Sequence, residues 1–247
     1  MKRLFRKLEW PENLDGFRLI QRPERRKRVI HFLHIGKNAG SQVMSIANQF
    51  NDLSRRRTIL KRKHDIFLKD IPSDDDYFFS IRDPISRVRS GFYSRKRKGQ
   101  PRIYSEWSAY DELAFSEFEH ANDLAECLFG NGETGARAWA AMKSIRHTAQ
   151  NQSDWFYCCG NFLRVRPPIF IIRQESFDRD ISAFIGTADP DVEISRIRLS
   201  SNAVESHRND YSGVPPLSPR AIENLRFWYA QDFSFCKLCN DWIEDHF

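Results

Sequence analysis

Between Val29 and Ile35 the chain carries a β-branched and aliphatic run, VIHFLHI, long enough for one buried strand. The run stops at Gly36, and after a short polar stretch Val43, Ile46, Ala47 and Phe50 recur at helical spacing, which predicts a helix over 40–51. The alternation then repeats. Tyr77–Ile81 reads as a second short strand, and Asp83 and Pro84 as N-cap and first residue of a helix over 84–97. Residues 104–148 are largely helical: Leu113, Ala114, Glu117, Phe118, Ala121, Leu124, Ala125 and Leu128 form a stripe, Gly130–Gly132 break it, and Ala136–Ile145 resume. A strand over 168–173 and a helix over 178–185 follow, then a loop-rich stretch, 186–216, with Pro190, Pro215 and Pro216. Ser218 and Pro219 open the last helix, which turns Ile222, Leu225 and Tyr229 inward. The stretch 54–65 reads as a basic connection, and residues 1–28 as a polar, basic arm. Strands alternating with helices predict an α/β fold, one domain with a mostly parallel sheet flanked by helices on both faces.

The first strand runs directly into Gly36, Lys37, Asn38, Ala39, Gly40 and Ser41. A tight turn with two glycines between a strand and a helix start presents backbone N–H groups to an anion, and Lys37 adds a charge. The ATP-binding form of such a loop places its lysine after the last glycine. Here the lysine precedes it, which makes an ordinary ATPase or kinase the poorer reading. Arg82 falls at the C-terminal end of the second strand, where ligands of open α/β sheets bind. Arg82 and Ser90, one a fork of donors and the other a hydroxyl, can serve one phosphate. The alternatives for Arg82 are to pair with Asp83 or to cap a carbonyl, and the full R-D-P-x-x-R-x-x-S pattern favours the phosphate.

The two segments together, HIGKNAGS and RDPISRVRSGF, resemble the paired cofactor signatures of sulfotransferases that use 3′-phosphoadenosine 5′-phosphosulfate (PAPS), most closely the branch acting on carbohydrates, which includes the heparan-type enzymes. The second signature is matched in full. The first departs at Gly36, where a proline is common, and at Asn38-Ala39-Gly40-Ser41, where Thr-Gly-Gly-Thr is usual. The resemblance implies a P-loop-like three-layer fold. It also implies that Gly36, Lys37 and the amides of Asn38, Ala39, Gly40, Ser41 and Gln42 hold the phosphosulfate, while Arg82 and Ser90 hold the 3′-phosphate. IFIIRQESF at 169–177 resembles a later strand of the family that ends near a glutamate, and Leu217–Phe235 its closing helix.

Transfer of a sulfuryl group to a hydroxyl needs a cation near the leaving oxygen, anchors for the nucleotide and a base. Lys37 suits the first, and a histidine, titrating near neutrality, suits the third. Seven histidines compete. His64 lies between the two signatures, in a place that resembles that of the catalytic histidine of the heparan-type branch. Its bland alternative is a solvated ring among Lys61, Arg62, Lys63 and Asp65. His147 is the reserve, lining an acceptor groove with Gln150, Gln152 and Trp155. His31 and His34 read as packed in the first strand. His207, beside Arg208, could cover the nucleotide, and Glu175 either orients a side chain or ends a strand.

Composition narrows the field further. The net charge of +6 conceals an asymmetry: residues 1–102 carry 26 Lys and Arg against 11 Asp and Glu, while 103–247 carry 13 against 22. A basic half holding both anion motifs steers a multiply charged nucleotide. Five cysteines, an odd number, fit a reducing compartment. Cys236 and Cys239 read as buried small hydrophobes rather than metal ligands, as do Cys158 and Cys159. No metal is expected. No apolar run reaches the length of a membrane span, and the start has no signal-peptide core, so a cytoplasmic location is expected. Leu4, Phe5 and Leu8 of the arm could touch anionic lipid peripherally. The acceptor is expected to be a carbohydrate or another hydroxyl compound, not a nucleic acid. Tyr104, Trp107, Trp139 and Trp155 either stack on sugar faces or belong to the core. Three alternatives stay open: a P-loop-like nucleotide kinase, a polyanion- or RNA-binding protein, and a family member that binds nucleotide without turnover.

Overall fold

The computed structural model describes residues 27–101, 103–157, 160–198 and 211–247. The first 26 residues of the basic arm, Cys158, Cys159 and His207 lie outside them. Four strands, β1 (Arg28–Leu33), β2 (Arg57–Lys61), β3 (Asp76–Ile81) and β4 (Phe170–Arg173), form an all-parallel sheet of order β2-β1-β3-β4. Helix α1 (Gly40–Leu53) joins β1 to β2, and α2 (Pro84–Lys96) follows β3. Three helices, α3 (Ala109–Glu117), α4 (Ala121–Cys127) and α5 (Gly132–Ser144), cover the stretch read as largely helical. The chain continues through a 3-10 turn at Gln152–Trp155 and a single helical turn, α6 (Phe162–Val165). After β4 come α7 (Phe177–Ala188), α8 (Pro219–Trp228) and α9 (Ala230–His246).

The strands show why the sheet is covered on both faces. Ile30, Phe32, Phe78, Phe170 and Ile172 pack with Val43, Ile46, Ala47 and Phe50 of α1 and with Ile181, Phe184 and Ile185 of α7. The intervening positions Leu33, Tyr77, Phe79, Ile81 and Ile171 pack on the other side against Trp155, Phe156, Phe162, Phe235, Cys239 and Ile243. Period-two alternation thus feeds two apolar layers. A third cluster, made by α2 to α5 and α8 around Phe92, Leu124, Met142 and Leu225, forms a helical block at one side. Asp83 and Ser218 cap α2 and α8, accepting from Ser86 N–H at 2.7 Å and Ala221 N–H at 3.1 Å.

Two readings change. The connection 54–65 contains β2, an edge strand in which Ile59 alone is buried, so its charged positions mask its strand character. The closing helix is two helices: the chain breaks at Tyr229, whose hydroxyl reaches the carbonyl of Thr148 at 2.6 Å, and α9 runs eleven residues past the expected end at Phe235. No helix among the described residues is long and apolar enough to cross a membrane.

Candidate anion-binding site

Strands β1 and β3 are neighbours whose following segments leave in different directions, toward β2 on one side and β4 on the other. Their C-terminal ends mark the point where the strand order switches, the usual crevice for ligands in open parallel sheets. The loop 36–41 leaves β1 there, and Arg82 leaves β3.

The loop is held in an unusual backbone conformation. Lys37 and Ala39 both take positive φ, 69° and 57°. Ala39 is the N-cap of α1 and has no side chain able to cap it. The amides of Lys37, Asn38, Ala39 and Gly40 have no acceptor among the described residues. Orphan amides at a helix N-terminus are a ready seat for an anion. Gly36 and Gly40 are required by two imidazoles: a Cβ on Gly36 would meet Nδ1 of His147 at 2.6 Å, and one on Gly40 would collide with Nε2 of His34. Any side chain at Gly36, a proline ring included, would therefore meet the ring of His147 behind it.

The loop, His34, His64, Arg82, Ser90, His147 and Gln174 line one cleft of about 380 Å³. Among the described residues six cationic side chains line it, from Lys37, Lys61, Arg82, Arg95, Arg97 and Arg146, Arg95 being paired with Asp111 at 2.7 Å, and no carboxylate does. Burial and the charges of Arg82, Arg97 and Arg87 push the Lys37 ammonium down to about 8. Arg82 donates from Nε to Ser86 Oγ at 2.7 Å and from Nη1 to the Lys37 carbonyl at 3.2 Å. Arg82 thus caps a carbonyl, and that carbonyl belongs to the anion loop. Arg87, fully buried on α2, donates to the Gly36 carbonyl at 3.1 Å and to the Gln150 carbonyl at 2.8 Å.

A second chamber of about 710 Å³ meets the first at a shared wall made by His34, Lys61, His64, Arg146 and His147. Arg62, Lys63, Asp65, Phe67, Gln150 and Trp155 line its remainder. The ring centroids of His34 and His64 lie 3.9 Å apart, and those of His64 and His147 5.8 Å apart. Nδ1 of His64 lies 3.0 Å from the His34 carbonyl, an acceptor only, so that nitrogen carries the proton and Nε2 a lone pair. The Trp155 indole donates to the His64 carbonyl at 3.1 Å and fixes its backbone. Burial lowers the pKa of His64, so the ring is neutral at pH 7. Burial, then the nearby charge of Lys37, pushes His147 down to about 2.

The structure brings Lys37, Ala39, Gly40, Ser41, Gln42, His64, Arg82 and Ser90 to one cleft, whereas Gly36 is not part of its lining and Asn38 is buried beneath it, its side chain donating to the Ser80 carbonyl and to Gln152. His31 is packed as expected, bonded to Asp75 at 2.9 Å and accepting from Arg62 at 2.8 Å. His34 is packed as well, buried against Phe32 and His64, but it lies past the end of β1 at Leu33 and its ring lines both chambers. Gln150 and Trp155 line the second chamber, while Gln152 is buried beneath the loop. Glu175 accepts from the Asp83 N–H at 2.8 Å and ties the end of β4 to the start of α2. Of the aromatic candidates, Trp155 belongs to the core, Trp107 donates to the Arg95 carbonyl, and Tyr104 and Trp139 are exposed away from the lining of either chamber. Cys239 is fully buried, and Cys236 donates a weak bond to the Arg82 carbonyl at 3.6 Å. Lys61, Arg97 and Arg146 were not legible as site residues, for they are brought in by β2, the C-terminus of α2 and the end of α5. Compared with known proteins, the chain matches no family model, no curated protein and no solved structure.

Proposed function

We propose that the protein is a PAPS-dependent sulfotransferase acting on a hydroxyl acceptor, most consistent with a carbohydrate. One observation carries the reading. At the β1/β3 switch point an uncapped helix start bearing Lys37 stands beside Arg82 and Ser90 in a cleft that, among the described residues, is lined by six cations and no carboxylate. The donor set fits a ligand with two separate anionic ends: orphan amides and Lys37 for one, Arg82 and Ser90 for the other. PAPS supplies a sulfuryl group already joined to a phosphate leaving group. The chain's own residues then divide the work. Nε2 of His64, on the wall between the chambers, takes the proton of an acceptor hydroxyl entering from the second chamber. The Lys37 ammonium faces the charge that develops on the departing phosphate oxygen. Catalysis of this kind rests on positioning and electrostatics, as in phosphoryl transfer.

Calorimetric titration of the folded protein tests the reading. Adenosine 3′,5′-bisphosphate is expected to bind at least about tenfold more tightly than ATP with Mg²⁺, and Arg82→Ala to remove that preference. Absence of bisphosphate binding would overturn it. Tighter binding of ATP would favour the kinase alternative, and steeply salt-dependent binding of an RNA oligonucleotide a polyanion-binding role.

A further inference from the structure

Gln152 sits in a polar stretch of sequence, yet its side chain is fully enclosed. Its Oε1 accepts from Asn38 Nδ2 at 2.6 Å and from the Arg82 N–H at 3.0 Å. Its Nε2 donates to the Arg82 carbonyl at 2.8 Å and to Cys236 Sγ at 3.4 Å. The two backbone groups of Arg82 fix which end of the amide is which, and every donor and both acceptor positions are engaged. The Gln152 N–H is in turn held by Asp232 Oδ1 at 2.6 Å. Asp232, buried on α9, also lies 3.6 Å from Arg87 Nη1, and Arg87 holds the Gly36 carbonyl. Burial keeps the Asp232 carboxyl above its ordinary range, to about 6, against the pull of Arg87.

This network closes on three successive peptides of the anion loop. The Gly36 carbonyl takes Arg87, the Lys37 carbonyl takes Arg82, and the Asn38 carbonyl takes the Ser80 hydroxyl. A trans peptide holds its C=O and the following N–H antiparallel. Drawing these three carbonyls onto protein donors therefore turns the amides of Lys37, Asn38 and Ala39 away from them, as orphan donors. Gln152 is the member that touches both halves of the site: Asn38 in the loop and Arg82 at the end of β3.

We propose that Gln152 is a positioning residue that locks the loop 36–41 and Arg82 into one rigid cradle, setting the separation at which the two anionic ends of a ligand are met. The inference rests on the reading of the cleft as a nucleotide bisphosphate site. A rigid cradle gives a two-ended ligand an advantage over a one-ended one, because the second contact is already in place. Loosening the cradle removes that advantage selectively.

The experiment compares adenosine 3′,5′-bisphosphate with adenosine 5′-monophosphate on wild type, Gln152→Ala and Gln152→Glu. Gln152→Ala is expected to weaken the bisphosphate about 30-fold and the monophosphate less than about threefold. Gln152→Glu is close in shape and keeps the acceptor for Asn38 and the Arg82 N–H, but sets an oxygen against the Arg82 carbonyl. It is expected to show the same selective loss, and it decides the matter where the alanine variant does not fold. Equal losses for both ligands, or no loss in a folded variant, would overturn the positioning role while leaving the site assignment intact. Failure of the wild type to bind the bisphosphate would instead overturn the site assignment and this role with it.

Discussion

His64 donates its Nδ1–H to the carbonyl of His34 at 3.0 Å, and this bond leaves Nε2 as the proton-accepting nitrogen on the wall between the two chambers. Burial lowers the pKa of the ring, and the charges of Arg146, Lys61 and Lys37 lower it further, against the raising effect of the His34 bond. In the proposed reaction the neutral form is the reactive one. Sulfuryl transfer is therefore expected to be lost on acidification only below pH 6.5, with an acid limb that disappears in His64→Gln. That substitution is expected to cut turnover about 10²- to 10⁴-fold and to leave bisphosphate affinity within about threefold. A pH–rate profile paired with calorimetry checks both, and an unchanged acid limb would sink the assignment.

Lys37 carries a different pH signature. Its ammonium is pushed down to about 8 by burial and by three arginines. In the free protein it begins to lose its proton as pH rises through 8, whereas a bound anion favours the charged form. Bisphosphate affinity is expected to fall above pH 8, by up to about tenfold per pH unit, with proton uptake on binding. Heats measured near pH 9 in buffers of different ionisation enthalpy read that uptake directly. Lys37→Met is expected to abolish it, and persistence of the uptake in that variant would assign the proton elsewhere.

These residues differ in how far the sequence reveals them. Gly36–Ser41 and Arg82–Ser90 are legible because a strand, a turn and a helix start are contiguous in the chain, and the groups proposed to meet a ligand, loop amides and the side chains of Lys37, Arg82 and Ser90, lie within those short segments. Lys61, Arg97, Arg146 and His34 are not. Lys61 enters the cleft because β2 pairs with β1, an edge pairing that a run of charged residues conceals. His34 looks like one more strand residue until β1 ends at Leu33. Gln152 is the extreme case: a glutamine in a polar stretch becomes a buried link only when α9, β3 and the loop converge on it. Fold class follows from periodicity, whereas convergence of distant side chains depends on tertiary packing that no local pattern encodes.

His147 should make the fold acid-sensitive. Its pKa in the folded protein is pushed to about 2, below the ordinary histidine value of 6.5, so the unfolded chain takes up a proton that the native ring refuses. The ring contributes no penalty above pH 6.5. As pH falls through that value, stability is expected to drop by about 1.4 kcal/mol per pH unit from this group. His147 also has a φ of 76°, a conformation asparagine tolerates well. His147→Asn should therefore flatten the dependence of the urea midpoint between pH 7 and 4.5, leaving a residual slope from His64 and His31, whose pKa values burial also lowers. A slope as steep as that of the wild type would show that the proton is taken up elsewhere.

The anion loop offers a pair of substitutions of opposite sign. Ala39 holds a left-handed φ of 57° that places its Cβ against the following carbonyl, a strain that glycine does not feel. Ala39→Gly is expected to raise stability by about 1 kcal/mol. Gly40, one residue on, has ordinary helical geometry, but a methyl group there would collide with Nε2 of His34. Gly40→Ala is expected to cost about 1–3 kcal/mol, because the displaced ring is itself packed on His64. The second substitution also pushes His34 against the base, so it should slow transfer even at temperatures where the protein stays folded, whereas Ala39→Gly should leave the rate nearly unchanged. Thermal melts with matched rate measurements separate these outcomes. A destabilised Ala39→Gly, or a Gly40→Ala protein of wild-type stability and rate, would contradict the loop geometry on which the site is built.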